Sequence, residues 1–320
     1  MSIIAILTSP ASFEGTDEMT RLREVIHGGS GIIHYEVEKH NHIGEALRTF
    51  ARSGAKALVI IGDKALASAT FEFLVEKNPF DGPPPPIAIL PAGDNNIVAE
   101  NLGAVSAVPH RELMRILERH KNGRLLQDSL SLPLMKIEGV YGVGTLYGLF
   151  FCAGEIIGQK ALFHRGFAPP GLRRRLGHAW RALAVTRKAY LRALKDKNMD
   201  KTIRINVNQR GAVVGRFFMV MLTTMNKGLL GAELPEASEG ARLNFLSVEN
   251  TSDAVLKNGR QLVRGRYENR VLPGLVISRV RHVRLVQDGP FILDGSYFEP
   301  DKNGELLISA TVRLNFILLS

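Results

Sequence analysis

Two short apolar runs, each stopped by a glycine-bearing turn, restrict this chain more than any other feature. Ala57-Leu-Val-Ile-Ile61 ends at Gly62-Asp63, and Ile87-Ala-Ile-Leu90 ends at Pro91-Ala92-Gly93. Either run is the right length for one buried strand, and each is followed at once by a helical pattern, from Leu66 to Leu74 and from Ile97 onward. Asp94, Asn95 and Asn96 are good N-cap residues for the second of these helices. A strand that breaks at glycine and restarts as a helix exposes backbone N–H groups and the positive end of a helix dipole, which suits a phosphate. One such turn is weak, since most bind nothing. Two on neighbouring parallel strands define a crevice at the edge of a doubly wound sheet, where that fold places ligands.

The flanking chain continues the alternation. Ile3–Leu7 reads as a buried strand ending in Thr8-Ser9-Pro10, Asp17–His27 as a helix, Ile32–Val37 as a strand and Arg111–His120 as a helix. His40 and His42, two residues apart where the next helix opens, cannot share a helix face as metal ligands and read as surface residues. Pro83–Pro86 is a stiff polyproline connection. After Arg124 the character changes. Leu134–Val140, Thr145–Cys152, Thr202–Val207, Ala212–Thr224, Leu243–Val248, Val276–Gln287, Phe291–Leu293 and Leu306–Leu314 are β-rich, several of them alternating, which points to an antiparallel sandwich. Gly142-Val-Gly144-Thr-Leu-Tyr-Gly148 has the wrong spacing for a dinucleotide fingerprint and reads as a hairpin. The expected division is thus an α/β domain over 1–124 and a β-sandwich domain over 125–320.

The segments Ile61-Gly62-Asp63-Lys64-Ala65 and Leu90-Pro-Ala-Gly-Asp-Asn-Asn-Ile-Val-Ala-Glu-Asn-Leu-Gly103 resemble the two nucleotide motifs of the diacylglycerol kinase catalytic family. That family includes soluble bacterial lipid kinases, sphingosine kinases and ceramide kinases. Its patterns read Gly-Gly-Asp-Gly-Thr and, further on, Pro-Leu-Gly-Thr-Gly-Asn-Asp-Phe-Ala-Arg with a Leu-Gly following. Asn226 through Gly228, Gly231 and Pro235-Glu-Ala237 to Glu239-Gly240 resembles a third family stretch, so the likeness spans almost the whole chain. It implies a parallel-sheet α/β domain of NAD-kinase and diacylglycerol-kinase type, a β-sandwich substrate domain, ATP and Mg²⁺ as cofactors, and a hydroxyl-bearing lipid as acceptor. By the same resemblance Ser9, Gly62, Lys64, Gly93, Asp94 and Asn96 surround the nucleotide, Asp63 and Asp94 hold Mg²⁺, and Asp63 and Asp294 are catalytic, Asp294 as base for the lipid hydroxyl.

This chain departs from the pattern at telling places. Lys64 replaces a glycine, Ala65 a threonine, Ser68 a glutamate and Ser296 the last member of an Asp-Gly-Glu motif begun by Asp294. Asp94 replaces the threonine that touches phosphate. A carboxylate about 4 Å from a phosphate oxygen costs about 4 kcal/mol per charge pair at an effective dielectric near 20, which a metal or Lys64 would have to offset. Two readings follow. In one, the site is an active ATP-dependent lipid kinase of diacylglycerol, ceramide or a sphingoid base. In the other, Lys64 and Asp94 pair across the crevice and fill the phosphate site, leaving a pseudokinase that binds lipid or membrane.

Charge bears on the partner. The 320-residue chain carries a formal charge of +10, and the segment from Arg165 to Lys201 holds eleven Lys or Arg against Asp196 and Asp200, so it supplies nine of those ten charges. On a helical wheel Leu176, Trp180, Leu183, Tyr190 and Leu194 share one side, with Arg187 among them, while Arg174, Arg181, Lys188, Arg192 and Lys195 are opposite or flanking; Arg173, Arg174, Arg175, Trp180, Arg181, Lys188 and Arg192 are the expected membrane contacts. A basic amphipathic insertion over 165–201 fits an anionic membrane surface; a helix packed on the sandwich is the plainer alternative. No nucleic-acid reading motif accompanies the charge. A homodimer is compatible with the sequence. The single cysteine, Cys152, reads as core and excludes an internal disulfide. With an amino terminus that reads as a strand rather than a signal peptide, the expected location is cytoplasmic, peripheral on the inner membrane face.

Overall fold

A computed structural model of the chain describes residues 2–92, 97–158, 180, 182–184, 186–188, 190–191, 202–208, 211–229, 232–234, 243–267 and 272–319. The chain forms two compact units, Met1–Leu132 together with Val312–Ser320, and Pro133–Thr311.

In the first unit β1 (Ile4–Thr8), β2 (Ile32–Glu36), β3 (Ala57–Ile61) and β4 (Ile87–Leu90) form a parallel sheet in the order β2-β1-β3-β4. Every residue of β1 and β3 is buried, which is why both read as unbroken apolar runs rather than alternating ones. Helices α1 (Glu18–His27) and α5 (Pro109–Lys121) pack together, as do α2 (Ile43–Arg52) and α3 (Lys64–Lys77). In α2 the residues Ile43, Ala46, Leu47 and Phe50 recur at helical spacing and are buried. A Cβ on Gly44 would stand 2.6 Å from the Phe73 ring of α3, so glycine is what lets these two helices approach. A short helix α4 (Ile97–Asn101) follows β4. The far end of the last strand returns to this unit, where Phe316 pairs with Ile87 and meets the Phe71 ring edge-on at 5.9 Å.

The second unit is an antiparallel sandwich. One sheet has the order β12 (Leu275–Val280), β11 (Leu243–Glu249), β10 (Phe217–Thr223), β7 (Phe150–Ala153), β14 (Phe291–Leu293), β15 (Ser296–Phe298). The other contains β5 (Ser129–Val140), β6 (Gly144–Gly148), β8 (Ile203–Val207), β9 (Ala212–Gly215), β13 (His282–Val286) and the first part of β16 (Glu305–Ile317). Three stretches that read as single strands are corrected here. Thr145–Cys152, Ala212–Thr224 and Val276–Gln287 each divide, at Leu149, Arg216 and Arg281, and the two halves lie in different sheets. These are the corners of the sandwich, where one residue turns the chain from one layer to the other. A helix absent from the sequence reading, α6 (Ser252–Arg264), starts at a Thr251 cap whose hydroxyl accepts from the Ala254 N–H and ends at the left-handed Gly265.

Cys152 lies in β7, fully buried, and desolvation drives its thiol pKa far above the ordinary range. Since the thiolate is the reactive species, a disulfide-exchange reagent is expected to leave Cys152 unmodified in native protein and to titrate it on unfolding. Rapid labelling of the native chain would contradict this packing.

Candidate functional site

Register brings the sequence-identified turns of the first unit side by side. Thr8 pairs with Ile61 and Ile61 with Leu90, so β1, β3 and β4 end level and release Ser9, Gly62 and Pro91 at the same edge. The order β2-β1-β3-β4 reverses direction between β1 and β3, and this reversal is the topological switch point where doubly wound folds hold ligands. The turns after β1 and β3 therefore flank the crevice, and the bend after β4 is its neighbour.

Its walls are tied together locally. The Ser9 N–H donates to the Ile61 carbonyl at 3.1 Å, and the Asp63 N–H donates to Ser12 Oγ at 2.8 Å. Ser12, in the short 3-10 turn Pro10–Phe13, thus couples the first loop to the second turn, a role that nothing in its sequence position reveals. A Cβ on Gly62 would meet Leu66 Cδ2 at 2.7 Å and Ser9 Cβ at 3.0 Å. Glycine is required there by the protein's own packing. At the outer flank, Thr8 Oγ1 and His34 Nε2 are 2.8 Å apart, and burial pulls the His34 pKa down, favouring the neutral ring.

Asp63 is the N-cap of α3. Its Oδ1 accepts from the Leu66 N–H at 2.8 Å, and the side chain is exposed. Lys64 is the first residue of α3, with helical backbone, so the position where the family pattern has a glycine carries no left-handed strain. The Lys64 side chain lies outside the described residues, as do Gly93, Asp94 and Asn96, and with them the Lys64–Asp94 pair. Mg²⁺ is usually held by one or two carboxylates plus substrate phosphates. Asp63 can supply one of these, and no group of three or more His, Cys, Asp or Glu side chains that could hold a metal occurs among the described residues.

In the second unit Asp294 and Gly295 are the two-residue turn of the β14–β15 hairpin, with φ of 49° and 95°. Asp294 is 8% exposed and its carboxylate points inward, its Oδ1 accepting from the Leu149 N–H at 3.0 Å and the Phe150 N–H at 2.7 Å. It is made possible by Gly148, where a Cβ would stand 2.6 Å from Asp294 Oδ2. The sequence reading treated Gly148 only as part of a hairpin.

Of the basic segment, Trp180 and Lys188 are helical and exposed; Arg173, Arg174, Arg175, Arg181 and Arg192 lie outside the described residues. The described face differs from the wheel. Ala182 and Thr186 are buried, with Thr186 seated where a Cβ on Gly259 of α6 would fall, whereas Trp180 is 71%, Leu183 53% and Leu191 44% exposed. Gly231 and residues 235–240 of the third resembling stretch are also outside the described set.

A level-ended parallel sheet joined to an antiparallel sandwich defines a two-part class of fold. Two solved structures of a candidate diacylglycerol kinase from Bacillus anthracis str. Sterne share it, at TM-scores of 0.57 and 0.58 and identities of 12% and 13%. A third, named a diacylglycerol kinase from the same organism, matches at a TM-score of 0.55 and 12% identity. Each match covers 99% of this chain and 97% of the other. No family model and no curated protein matches the chain. The fold is diacylglycerol-kinase-like from end to end.

Proposed function

We propose that the protein is an ATP-dependent lipid kinase, transferring phosphate to the hydroxyl of a diacylglycerol-, ceramide- or sphingoid-type lipid. The observation that carries this reading is the level ending of β1, β3 and β4 at the switch point, on a fold shared along its whole length with diacylglycerol kinases. Phosphoryl transfer is largely positioning and charge neutralisation. On the family pattern Lys64 supplies the cation for the phosphates and Asp63 and Asp94 the carboxylates for Mg²⁺, with Ser9, Gly62, Gly93 and Asn96 around the nucleotide; of these, Ser9 and Gly62 leave β1 and β3 at the level edge and Asp63 caps α3.

A second reading, a catalytically impaired pseudokinase, is favoured by one observation. The Asp63 carboxylate occupies the α3 N-terminus that a phosphate would otherwise use. Thermal melts with Mg-ATP separate the two. Ligand at a hundredfold excess over Kd stabilises by about 2.7 kcal/mol, several degrees in Tm for a chain of this size. Asp63→Asn is the informative variant, because asparagine caps as well as aspartate but carries no charge. The kinase reading expects a Mg-ATP shift in the parent, its loss in Asp63→Asn with an unchanged ligand-free Tm, and labelled phosphate on extracted lipid. No shift at millimolar Mg-ATP would end it.

The same reading puts the protein at the cytoplasmic face of an anionic membrane. No helix among the described residues is long and apolar enough to cross one. Support comes from exposed Trp180, Leu183 and Leu191 beside exposed Arg187 and Lys188, the composition of an interfacial helix. Sedimentation with anionic vesicles is expected to fall as salt rises. Lys188→Ala is expected to weaken it about fivefold, the equivalent of ~1 kcal/mol per basic residue near the surface; binding indifferent to salt would count against this contact.

A further inference from the structure

Helix α6 is amphipathic, and its solvent side is not an ordinary polar one. Ala254, Val255, Asn258, Gln261 and Leu262 are buried, where the helix packs on β11 and β12. Leu256, Arg260 and Val263 recur at helical spacing on the opposite side, and all three are exposed. Leu256 is 38% and Val263 42% exposed, so an arginine stands between two branched apolar side chains in water. Asp253, the single acid of the helix, is already paired with Lys257 one turn on. Arg260 makes no ion pair with any described residue.

This side is continuous with the exposed part of the basic segment. Thr186 lies against Gly259, where an added Cβ would be 2.2 Å from its Oγ1 and Cγ2. Gly259 directly precedes Arg260, so the two helices touch at the border between the buried and exposed sides of α6. Trp180, Leu183, Arg187, Lys188 and Leu191 are exposed on the neighbouring helix, which belongs to the same unit. Cations interleaved with apolar tips thus come from two touching helices rather than from one.

We propose that α6 joins the basic segment in a two-helix surface that docks on an anionic lipid bilayer, with Arg260 at the phosphate level and Leu256 and Val263 among the upper acyl carbons. This rests on the protein meeting such a membrane through its basic segment. Chemistry selects the occupant. Branched apolar side chains among cations match the boundary between headgroups and acyl chains, whereas a nucleic-acid backbone makes use of the cations alone. A second copy meeting this face would set two arginine-bearing surfaces against each other, an unfavourable pairing of like charge. Leu256 and Val263 are about 10 Å apart along the axis at 1.5 Å per residue. A helix lying flat in the interface therefore brings both to one depth.

Co-sedimentation with vesicles of equal parts phosphatidylglycerol and phosphatidylcholine tests this in the full chain. Arg260→Glu is expected to weaken binding about twenty-five-fold, two charge units at about fivefold each. Lys302→Glu, exposed in the turn after β15 at the far edge of the same sheet, is expected to change it less than about threefold, from net charge alone. Leu256→Gln with Val263→Gln should lower by about fivefold the binding that survives high salt, since that part depends on apolar burial. All these side chains are exposed, so the variants should melt like the parent. Arg260→Gln, expected to weaken binding about fivefold, replaces the glutamate variant if that one does not fold. Arg260 variants that bind like the parent, while Lys188→Ala binds less, would overturn the role of α6 and leave the membrane contact of the basic segment standing. Equal losses in Arg260→Glu and Lys302→Glu would reduce the effect to overall charge and also overturn it. A parent that binds no anionic vesicles would remove both the α6 surface and the membrane contact beneath it.

Discussion

Gly139→Ala is expected to destabilise the second unit by about 3–4 kcal/mol, while Gly142→Ala, three residues on, should cost only about 1–2 kcal/mol. Both glycines have left-handed backbone, with φ of 88° and 73°, so each substitution bears the same conformational penalty. Their surroundings differ. A Cβ on Gly142 meets nothing within 4 Å, but one on Gly139 would stand 2.1 Å from the Glu305 carbonyl oxygen. That contact is with backbone, so it cannot be relieved by a side-chain rotation. The strand must move, and two hydrogen bonds go with it: the Asp301 N–H to the Gly139 carbonyl at 2.8 Å and the Tyr141 N–H to the Glu299 carbonyl at 3.0 Å. At about 1 kcal/mol each, these make up the difference. Gly139 sits at a register shift between Glu138 and Val140, a bulge that bends β5 against its neighbour. Urea unfolding of the two variants measures the gap directly; equal losses would mean that β5 and β16 are not in close contact at this point.

The first unit was largely legible because its strands are buried on both sides. Ala57–Ile61 and Ile87–Leu90 are continuous apolar runs bounded by strong breakers, and their register follows from parallel pairing. In the second unit, alternation alone could not locate the corners. Val276–Gln287 reads as one apolar-rich run, yet its halves belong to opposite layers; its buried positions pass from Val280 to Val283 and Leu285, a change of phase at the corner that reading the run as one strand overlooks. Helix α6 was obscured by Asn258 and Gly259, poor helix formers that are buried, Asn258 accepting from the Tyr267 hydroxyl and Gly259 lying against Thr186; its Thr251 cap and Gly265 stop were the readable signals. In the basic segment the wheel left open whether the large apolar stripe meets a membrane or packs on the sandwich; among the described residues the packed face is the small one of Ala182 and Thr186, set by the glycine opposite. At the candidate site the motif spelled out Gly62 and Asp63, while the Ser12 tie depends on a meeting of loops far apart in sequence; the Asp63 cap on α3, by contrast, is local, made to an N–H three residues on.

Asp294 offers the sharpest separation of a structural role from a chemical one. Asp294→Ala would leave the Leu149 and Phe150 N–H groups buried without an acceptor, at about 1–3 kcal/mol each. It would also put alanine at φ 49°, where aspartate and asparagine are better tolerated. A loss of about 3–5 kcal/mol is expected from these terms together. Asp294→Asn keeps an acceptor oxygen and the tolerance for left-handed backbone, so about 1–2 kcal/mol is expected, with the fold intact. The folded asparagine variant then reads the chemistry alone. A carboxylate acting as general base on the lipid hydroxyl contributes roughly 10²–10⁴ in rate, which asparagine cannot supply. With both amides bound to Oδ1 and only 8% of the residue exposed, the geometry is that of a turn anchor. Phosphate transfer to lipid by Asp294→Asn is therefore expected within about threefold of the parent, far inside the loss that removing a general base entails. A hundredfold drop at unchanged Tm would make Asp294 the base, with the two amides holding its carboxylate ready for the hydroxyl.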